Sequence, residues 1–359
     1  MSPPVLRVGV VGLGEIAQYM HLPHLTSLPN IKVTAMCDLS PSLVERVADK
    51  YGVAKRYTSY LDLLEQSDVD AVFVATRDHP PVSIAAAEAG KHVMSEKPIA
   101  FNLEEADAVI AAARENKVKL QIAYMKRYDP AFEWALPRFK AMQAVGRLRL
   151  IRLHDFGGDF GINEKIYNLI KTDDIPGSVI AAENERSQAS LVKAIGEERR
   201  ELARTYSSLL HLCTHDATIL RGAFGDPKEI QFVDCYANGF TVAIFDYGDG
   251  VRCVWESGMA RQPVPWDESL TAYGTQETIR VQFPFPYLHN AATTVHLTER
   301  GPDGEFVEKT VVAGYDEAFR REWKHFYECV SEDRQPRTSG EEARADVAML
   351  AEMVKKVRR

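Results

Sequence analysis

The chain has 359 residues, of which 45% are hydrophobic and 26% are charged, and its formal net charge is −8 at pH 7. This composition is typical of a folded globular protein of about two domains, and the negative charge argues against a nucleic-acid or anionic-membrane partner. No apolar run approaches the ~20 residues of a membrane span. The five cysteines form no CxxC pair and the N-terminal residues do not resemble a signal peptide, so we expect a cytoplasmic protein without a disulfide framework or zinc site.

The first predicted element is a buried strand that runs into a glycine pattern. The apolar run 8–11 is typical of a parallel strand covered on both faces, and Gly12-x-Gly14-x-x-Ala17 follows it. Gly12 would permit a tight turn, Gly14 would let the backbone approach a pyrophosphate, and Ala17 would let the next helix pack on the strand. The turn is therefore predicted to bind a dinucleotide at the start of a helix. The alternative is a glycine-rich turn without a ligand.

An acidic residue ends the second predicted strand, residues 31–37. Asp38 lies at roughly the 20-residue spacing that the dinucleotide fingerprint expects for a carboxylate on the adenosine ribose hydroxyls. A carboxylate there would repel a 2′-phosphate, so NAD is favoured over NADP. The alternative is that Asp38 caps the following helix.

Predicted helices and strands alternate up to residue 125. This alternation predicts a doubly wound parallel sheet, whose ligands gather beyond the carboxyl ends of the strands. The predicted helices are 41–51, 60–66, 81–89 and 103–116, and the further predicted strands are 69–75, 91–96 and 119–124. The residues at the strand ends are Gly12, Asp38, Thr76 to His79, Glu96 to Pro98, and Met125 to Tyr128.

The pattern changes after about residue 130. A predicted helix at 131–143 precedes a series of strands with turns between them, which predicts a largely antiparallel sheet. The strands are 148–156, 229–236, 241–247, 251–257, 269–273, 277–283, 293–297 and 306–312, and helices 318–330 and 340–357 close the chain. We therefore predict a Rossmann domain over 1–125 and an α+β domain over 126–359. Residues 164–206 are predicted to be an insertion that forms a helical lid or arm.

Several motifs, taken in order, resemble the Gfo/Idh/MocA oxidoreductase family over nearly the whole chain apart from 164–206. They are Gly12-x-Gly14-x-x-Ala17 with Asp38, Ala75-Thr76-x-x-His79, Ala89-Gly90-Lys91-His92-Val93, Ser95-Glu96-Lys97-Pro98, Arg127-Tyr128-x-Pro130, Leu210-His211-Leu212-Cys213-Thr214-His215-Asp216, Leu220-Arg221 with Phe224-Gly225, and Arg321 to Phe326 with Pro336-x-Thr338-Ser339-Gly340-Glu341-Glu342-Ala343. The resemblance implies an N-terminal Rossmann domain and a C-terminal domain with an open sheet that forms a homodimer or homotetramer. It also implies NAD(P)-dependent oxidation or reduction of a sugar, cyclitol or related polyol.

Lys97 and His215 are the first candidates for the chemical step. Oxidation of an alcohol needs a base for the hydroxyl proton and a cation for the developing alkoxide. Lys97 lies at the end of a predicted strand, in the family's Glu-Lys-Pro motif, and could supply the cation. The alternative is a surface lysine. His215 matches the family's catalytic histidine, and imidazole, with a pKa of ~6.5, can serve as base or acid. The alternative for His215 is a buried structural histidine.

One position departs from the family pattern. Four residues before the histidine, on the same helix face, the family usually has aspartate, but this chain has His211. His211 could itself be the base, could alter substrate choice, or could mark weakened chemistry. The two histidines have the spacing of a metal pair but lack an accompanying third ligand, so no metal is predicted.

The other site residues complete the prediction. The expected cofactor contacts are Gly12, Gly14, Glu15, Ile16, Asp38, Thr76, His79, Glu96 and Lys97. The expected substrate contacts are Lys97, Arg127, Tyr128, Asp155, His211 and His215, with Lys165 as a weaker candidate. Arg127 and Tyr128 could instead pack at the domain junction. Four further histidines carry no distinct signal and are predicted to be structural: His21, His24, His92 and His154.

Three functions remain open from the sequence. The first is an NAD-dependent dehydrogenase of a sugar, cyclitol or polyol. The second is an enzyme that keeps its NAD bound, recycles it in place and acts on a keto-sugar intermediate. The third is a non-catalytic NAD-binding sensor, which the histidine at position 211 would favour.

Overall fold

The computed structural model describes residues 4–158, 161, 166–236, 239–259 and 265–357. Its contacts define two compact units. The described residues of the first unit lie within Met1–Tyr124, Asn163–Gly196 and Phe319–Ala348, and those of the second lie within Met125–Ile162, Glu197–Ala318 and Met349–Arg359. The first unit thus includes two stretches that the sequence analysis assigned to the second domain.

Six parallel strands of the described chain form the sheet of the first unit. They are β1 Leu6–Val11, β2 Ile31–Cys37, β3 Lys55–Tyr57, β4 Ala71–Val74, β5 His92–Ser95 and β6 Leu120–Ile122, in the order β3-β2-β1-β4-β5-β6. This is the doubly wound Rossmann order, so the predicted fold class is confirmed. Only β3 was not predicted, because three half-buried polar and aromatic residues carry no apolar run.

The helices that follow the strands begin and end near the predicted residues. A π-helix Ala17–His21 leads into Leu22–Ser27, and the helices after the next strands are Pro41–Tyr51, Tyr60–Leu64, His79–Glu88 and Leu103–Glu115. Two more, Ala318–Ser331 and Gly340–Lys355, come from the C-terminal part of the chain. Local signals fix such ends. Pro41 begins its helix and Gly52 ends it in the left-handed conformation, with φ of 68°, as the sequence predicted.

The core of the first unit depends on residues distant in sequence. Trp323 and Phe326, both fully buried, pack in one cluster with Phe73 and the β1 valines. Burial of each such side chain is worth about 1.5–3 kcal/mol. A residue from the C-terminal part of the chain also hydrogen-bonds to the edge strand β6. Ile122 N donates to Thr338 O at 2.8 Å, and Thr338 Oγ1 donates to Ile122 O at 2.7 Å. Residues 319–348 therefore complete this unit.

The second unit contains an eight-stranded sheet within the described residues. Its strands are β7 Leu148–Gly157, β8 Glu229–Tyr236, β9 Phe240–Gly248, β10 Val251–Met259, β11 Asp267–Gly274, β12 Glu277–Phe283, β13 Thr294–Arg300 and β14 Phe306–Val312. The order is β14-β13-β12-β11-β7-β10-β9-β8, and every pair except β7–β10 is antiparallel. The predicted, mostly antiparallel sheet is confirmed.

Burial alternates along these strands, as expected for a sheet covered on one face. On β9 every second residue from Thr241 to Tyr247 is buried, and the residues between them are half-buried. Helices Pro130–Ala144 and Thr214–Phe224 meet through Phe139 and Phe224, whose rings lie 5.2 Å apart. The inner face and these helices form the core of this unit.

The segment predicted as an insertion, 164–206, is helical over much of its described part. A long helix spans Gly177–Ile195 in the first unit, and shorter helices Glu197–Leu202 and Ala203–Ser208 follow in the second. Polar contacts hold the long helix, since Ser190 Oγ accepts from Asn102 Nδ2 and donates to Glu105 Oε2, each at 2.8 Å. None of the described helices has the length and apolar character needed to cross a membrane.

Candidate functional site

The two glycines of the opening turn have different surroundings. Gly12 has a φ of 94°, and a Cβ there would lie 2.4 Å from Ala75 O, so only glycine fits where the ends of β1 and β4 meet. A Cβ on Gly14 would meet no atom within 4 Å. The open space before Gly14 is where the dinucleotide fingerprint brings a pyrophosphate close to the backbone. The turn therefore fits such a group.

Asp38 is held by the turns on both sides of it. Its Oδ2 accepts from Leu13 N at 2.8 Å, and its Oδ1 accepts from Ser40 N at 3.0 Å. A carboxylate oxygen can accept more than one hydrogen bond, so both oxygens keep capacity for ribose hydroxyls. The residue that caps the next helix is Ser40, whose Oγ accepts from Leu43 N. The alternative of Asp38 as the helix cap is wrong.

The loop after β4 is tied to the turn after β5. Thr76 Oγ1 donates to Asp78 O at 2.9 Å, and the buried His79 donates from Nδ1 to Pro98 O at 2.8 Å. Burial lowers the pKa of His79, so its ring is neutral at pH 7. Of the other predicted cofactor contacts, Glu15 is exposed and Ile16 is half-buried beside the glycine turn.

A buried chain of hydrogen bonds positions the backbone of Lys97. The indole Nε1 of Trp323 donates to His21 Nδ1 at 3.0 Å. Because that nitrogen accepts, the ring proton lies on Nε2, which donates to Glu96 Oε1 at 2.7 Å. Glu96 Oε2 then accepts from Lys97 N at 3.1 Å. The Trp323–His21–Glu96 chain therefore fixes where Lys97 leaves strand β5.

The charge of Glu96 follows from the same contacts. Burial raises the pKa of its carboxyl group, but the hydrogen bond from His21 and the positive charge of Lys97 outweigh burial and hold the pKa below its usual value. Glu96 is thus an ionised group that orients its neighbour. His21 was predicted to be structural, because no local sequence pattern connects it with Glu96 or Trp323.

The two candidate histidines of the second unit lie in different surroundings. A π-helix at Leu209–Cys213 precedes the helix Thr214–Phe224, whereas the sequence analysis assumed one regular helix. His211 is exposed, and its Nδ1–H donates to Ser207 O at 2.7 Å. In the neutral ring the lone pair of His211 is then on Nε2. His215 is half-buried, and its Nδ1 is shielded from solvent.

Next to His215 is a buried group of ionisable side chains, which we call the acid cluster. Within it, Lys126 forms an ion pair with Glu268, and Trp266 Nε1 donates to Glu268 Oε2 at 3.0 Å. Three members, Asp155, Cys213 and Asp216, have side-chain oxygen and sulfur atoms within 4.8 Å of one another, so these atoms could together bind a metal ion. The members are Lys126, Asp155, Cys213, Asp216 and Glu268, and all are buried.

Charge balance decides how the acid cluster is protonated. Burial, together with the charge of Glu268, raises the pKa of Asp155 to about 7. Burial and Asp155 raise the pKa of Asp216 well above its usual range. Burial lowers the pKa of Lys126, but the paired Glu268 carboxylate is the largest of the effects that outweigh burial and raise it. Lys126 is therefore the cation of the cluster. Asp216 holds a proton at neutral pH, whereas Asp155 holds one only up to about pH 7.

The predicted substrate contacts after β6 are buried. Arg127 Nη1 donates to Thr218 O at 3.1 Å, and a Cβ on Gly222 would lie 2.6 Å from Arg127 Cζ. Arg127 thus packs against the helix Thr214–Phe224. Tyr128 and Asp155 are also buried, and Lys165 lies outside the described residues.

Replacing Asp155 by asparagine is expected to flatten the pH dependence of stability. The folded protein holds the Asp155 proton up to about pH 7, whereas an unfolded aspartate releases it near pH 4. The unfolded state therefore binds fewer protons between these values, and the free energy of unfolding falls as the pH rises through this interval. Asp155→Asn removes this loss, so its Tm should exceed that of the native protein more at pH 8 than at pH 4.

Thermal unfolding across pH 4–8 measures this difference. Asp234→Asn, which changes an exposed carboxylate on β8, is the matched control and should keep the native slope. The same slope in Asp155→Asn would contradict the protonation that we assign to the acid cluster.

The sheet order, the open glycine turn and the carboxylate at the end of β2 together define a nicotinamide-dinucleotide-binding Rossmann domain. Residues 6–124 match the family model described as "Oxidoreductase family, NAD-binding Rossmann fold". This match, which covers residues 6–124, agrees with the resemblance to the Gfo/Idh/MocA oxidoreductase family that the motifs predicted.

Curated relatives match a little over a third of the chain. Inositol 2-dehydrogenase of Salmonella typhimurium is 36% identical over 135 residues, which are 35% of this chain and 39% of that protein. The scyllo-inositol 2-dehydrogenase (NAD(+)) of Bacillus subtilis is 34% identical over 138 residues, 38% of this chain and 40% of that protein. The chain thus spans less than half the length of these curated relatives.

The fold extends further than the sequence similarity. KijD10, a 3-ketoreductase from Actinomadura kijaniata crystallised with NADP and TDP-benzene, superimposes with a TM-score of 0.74 over 99% of this chain and 98% of that chain. The two are 19% identical. The second unit therefore also has a fold known among oxidoreductases.

Proposed function

We propose that the chain is an NAD-dependent oxidoreductase that transfers a hydride between nicotinamide and a hydroxyl or keto carbon of a sugar, cyclitol or related polyol. The observation that carries the proposal is the buried Trp323–His21–Glu96 chain, which anchors Lys97 at the carboxyl edge of a dinucleotide-binding sheet. The curated inositol dehydrogenases among the relatives support the substrate class.

We assign cofactor binding to the residues of the first domain, 1–125. The glycine turn would hold the pyrophosphate, and Asp38 would accept hydrogen bonds from the ribose hydroxyls, which favours NAD. Thr76, His79, Glu15 and Ile16 lie on the segments next to the turn. The bound nicotinamide would accept or return the hydride.

Charge stabilisation and proton transfer are assigned to side chains of this chain. The Lys97 ammonium would stabilise the negative charge that develops on the substrate oxygen. His215 would take the hydroxyl proton in oxidation and return it in reduction. His211, with its lone pair on Nε2, is the second candidate for the base. Arg127 and Tyr128 would support substrate binding through the packing of the 126–359 domain.

We also propose that the chain forms a homodimer or homotetramer in the cytoplasm through its second sheet. Apolar side chains on the outer face of that sheet, Val242, Ile244 and Val254, remain half-buried in the single chain. Such a face is commonly covered by a second copy.

The function is tested by calorimetry with NAD+ and NADP+, followed by a sugar and cyclitol screen that measures NADH formation. We expect NAD binding and turnover of at least one cyclic polyol, with His215→Asn losing more activity than His211→Asn. Absorbance of a reduced cofactor in the freshly purified protein would instead favour an enzyme that retains and recycles NAD. Failure of both cofactors to bind would overturn the proposal, and binding without turnover across the screen would favour the sensor.

A further inference from the structure

The segment 166–176, which we call the strap, lies against the carboxyl edge of the parallel sheet. Gln18 holds it to the glycine turn, since Gln18 Nε2 donates to Leu13 O at 2.7 Å and to Ile170 O at 3.0 Å. Ile170 N donates back to Gln18 Oε1 at 3.0 Å. The strap is therefore part of the wall around the dinucleotide turn.

The strap then places a carboxylate at the start of the helix Pro41–Tyr51. Ser42 N donates to Asp174 Oδ2 at 2.9 Å, and Ser40 Oγ donates to Asp174 Oδ1. Ser40 Oγ accepts from Thr172 Oγ1 at 2.7 Å and from Leu43 N at 3.0 Å. Each hydrogen and lone pair of the buried Ser40 hydroxyl therefore has a partner. The hydrogen bonds from Ser40 and Ser42 hold the pKa of Asp174 well below its usual range, so it is ionised.

The groups that Asp174 engages are the kind that bind a phosphate. Backbone N–H groups at a helix N-terminus, together with a serine hydroxyl, favour an anion. They lie within four residues of Asp38, the carboxylate that faces the ribose hydroxyls in the proposed cofactor site. A phosphate on the 2′ oxygen would need these donors, and Asp174 already uses them.

We propose that Asp174 is a second determinant of cofactor choice, which excludes NADP by occupying the donors that a 2′-phosphate would require. This proposal rests on the proposed function, in which the turn binds a nicotinamide dinucleotide. Asp38 and Asp174 act on different groups, since Asp38 faces the ribose hydroxyls and Asp174 covers the Ser40 hydroxyl and Ser42 N–H. Loss of either carboxylate alone therefore leaves a barrier to NADP.

The test measures NAD+ and NADP+ affinity by calorimetry, without turnover, in the native protein, Asp38→Ser, Asp174→Asn and the double variant. We expect the native protein to prefer NAD+ strongly. Asp38→Ser should weaken NAD+ binding and still bind NADP+ poorly. The double variant should bind NADP+ about tenfold tighter than Asp38→Ser does. Asp173→Asn, the adjacent exposed carboxylate, is the matched control and should leave both affinities within about twofold of native.

A second variant of Asp174 separates the effect of its charge from the effect of its hydrogen bonds to Ser40 and Ser42. Asp174→Asn removes the charge but keeps the shape of the side chain, whereas Asp174→Ala leaves the Ser40 hydroxyl and Ser42 N–H without that partner. On the Asp38→Ser background, the alanine variant should therefore bind NADP+ at least as tightly as the asparagine variant. Thermal unfolding shows whether each variant stays folded. Equal NADP+ affinity in Asp38→Ser and in both double variants would overturn the assignment of Asp174. Failure of the native protein to bind either cofactor would overturn the proposed function itself.

Discussion

Replacing Lys97 by alanine is expected to lower kcat by about a thousandfold, because the variant loses the cation that stabilises the charge developing on the substrate oxygen. The fold should persist, since Glu96 accepts from the backbone N–H of residue 97, which alanine retains. Because Lys97 is also an expected cofactor contact, NAD+ affinity should fall, but by much less than kcat. Steady-state kinetics with the substrate found in the screen, together with calorimetry for NAD+, measure both effects.

Lys50→Ala is the matched control, because it removes an exposed lysine at the end of the helix Pro41–Tyr51. It should turn over at the native rate. If Lys97→Ala kept kcat within about tenfold of native, Lys97 would not have the role of a catalytic group, because even one such group contributes more than that.

Gly14→Val is expected to weaken NAD+ binding by about a hundredfold or more, roughly 3 kcal/mol, without a change in Tm. The structure has open space beside Gly14, where the Cβ of the new side chain would meet no atom within 4 Å. The valine would fill the approach of the pyrophosphate to the backbone. Calorimetry and thermal unfolding of the same sample separate the two effects.

Gly12→Ala should behave in the opposite way. Its Cβ would lie 2.4 Å from Ala75 O at a positive φ, so the substitution should destabilise the fold by about 2 kcal/mol or more. Native-like NAD+ affinity in Gly14→Val would show that the turn does not bind a pyrophosphate. An unchanged Tm in Gly12→Ala would contradict the close approach of β1 and β4.

Elements defined by neighbouring residues could be predicted from the sequence. The helix Pro41–Tyr51 has a serine cap, a proline in its first turn and a glycine after its last, and the structure begins and ends it at the predicted residues. Strand β2 alternates apolar residues with Lys32 and Thr34 before a run of three apolar residues, and it was likewise predicted to the residue. By contrast, the regular helix assumed around His211 is interrupted by a π-helix, for which the sequence gives no local signal.

The contacts that organise the candidate site could not be predicted, because they join residues that are far apart in the chain. Trp323 reaches His21 across 302 positions, and Lys126 reaches Glu268 across 142. Motif spacing identified Lys97 and Asp38 as candidates, but it could not show that Glu96 anchors one and that the backbone of Leu13 and Ser40 orients the other. The Asp174 carboxylate lies in a segment whose sequence predicted only a lid or arm.

The dependence of the first unit on residues 319–348 has a consequence for biosynthesis. Strands β1 to β6 are complete at Ile122, yet Trp323 and Phe326, which finish their core, follow about two hundred residues later. At about 5–20 residues per second, a ribosome needs roughly 10–40 s to translate that interval. Throughout this time the nascent Rossmann sheet presents an uncovered apolar surface around Phe73, so the chain must avoid aggregation until nearly all of it has been synthesised.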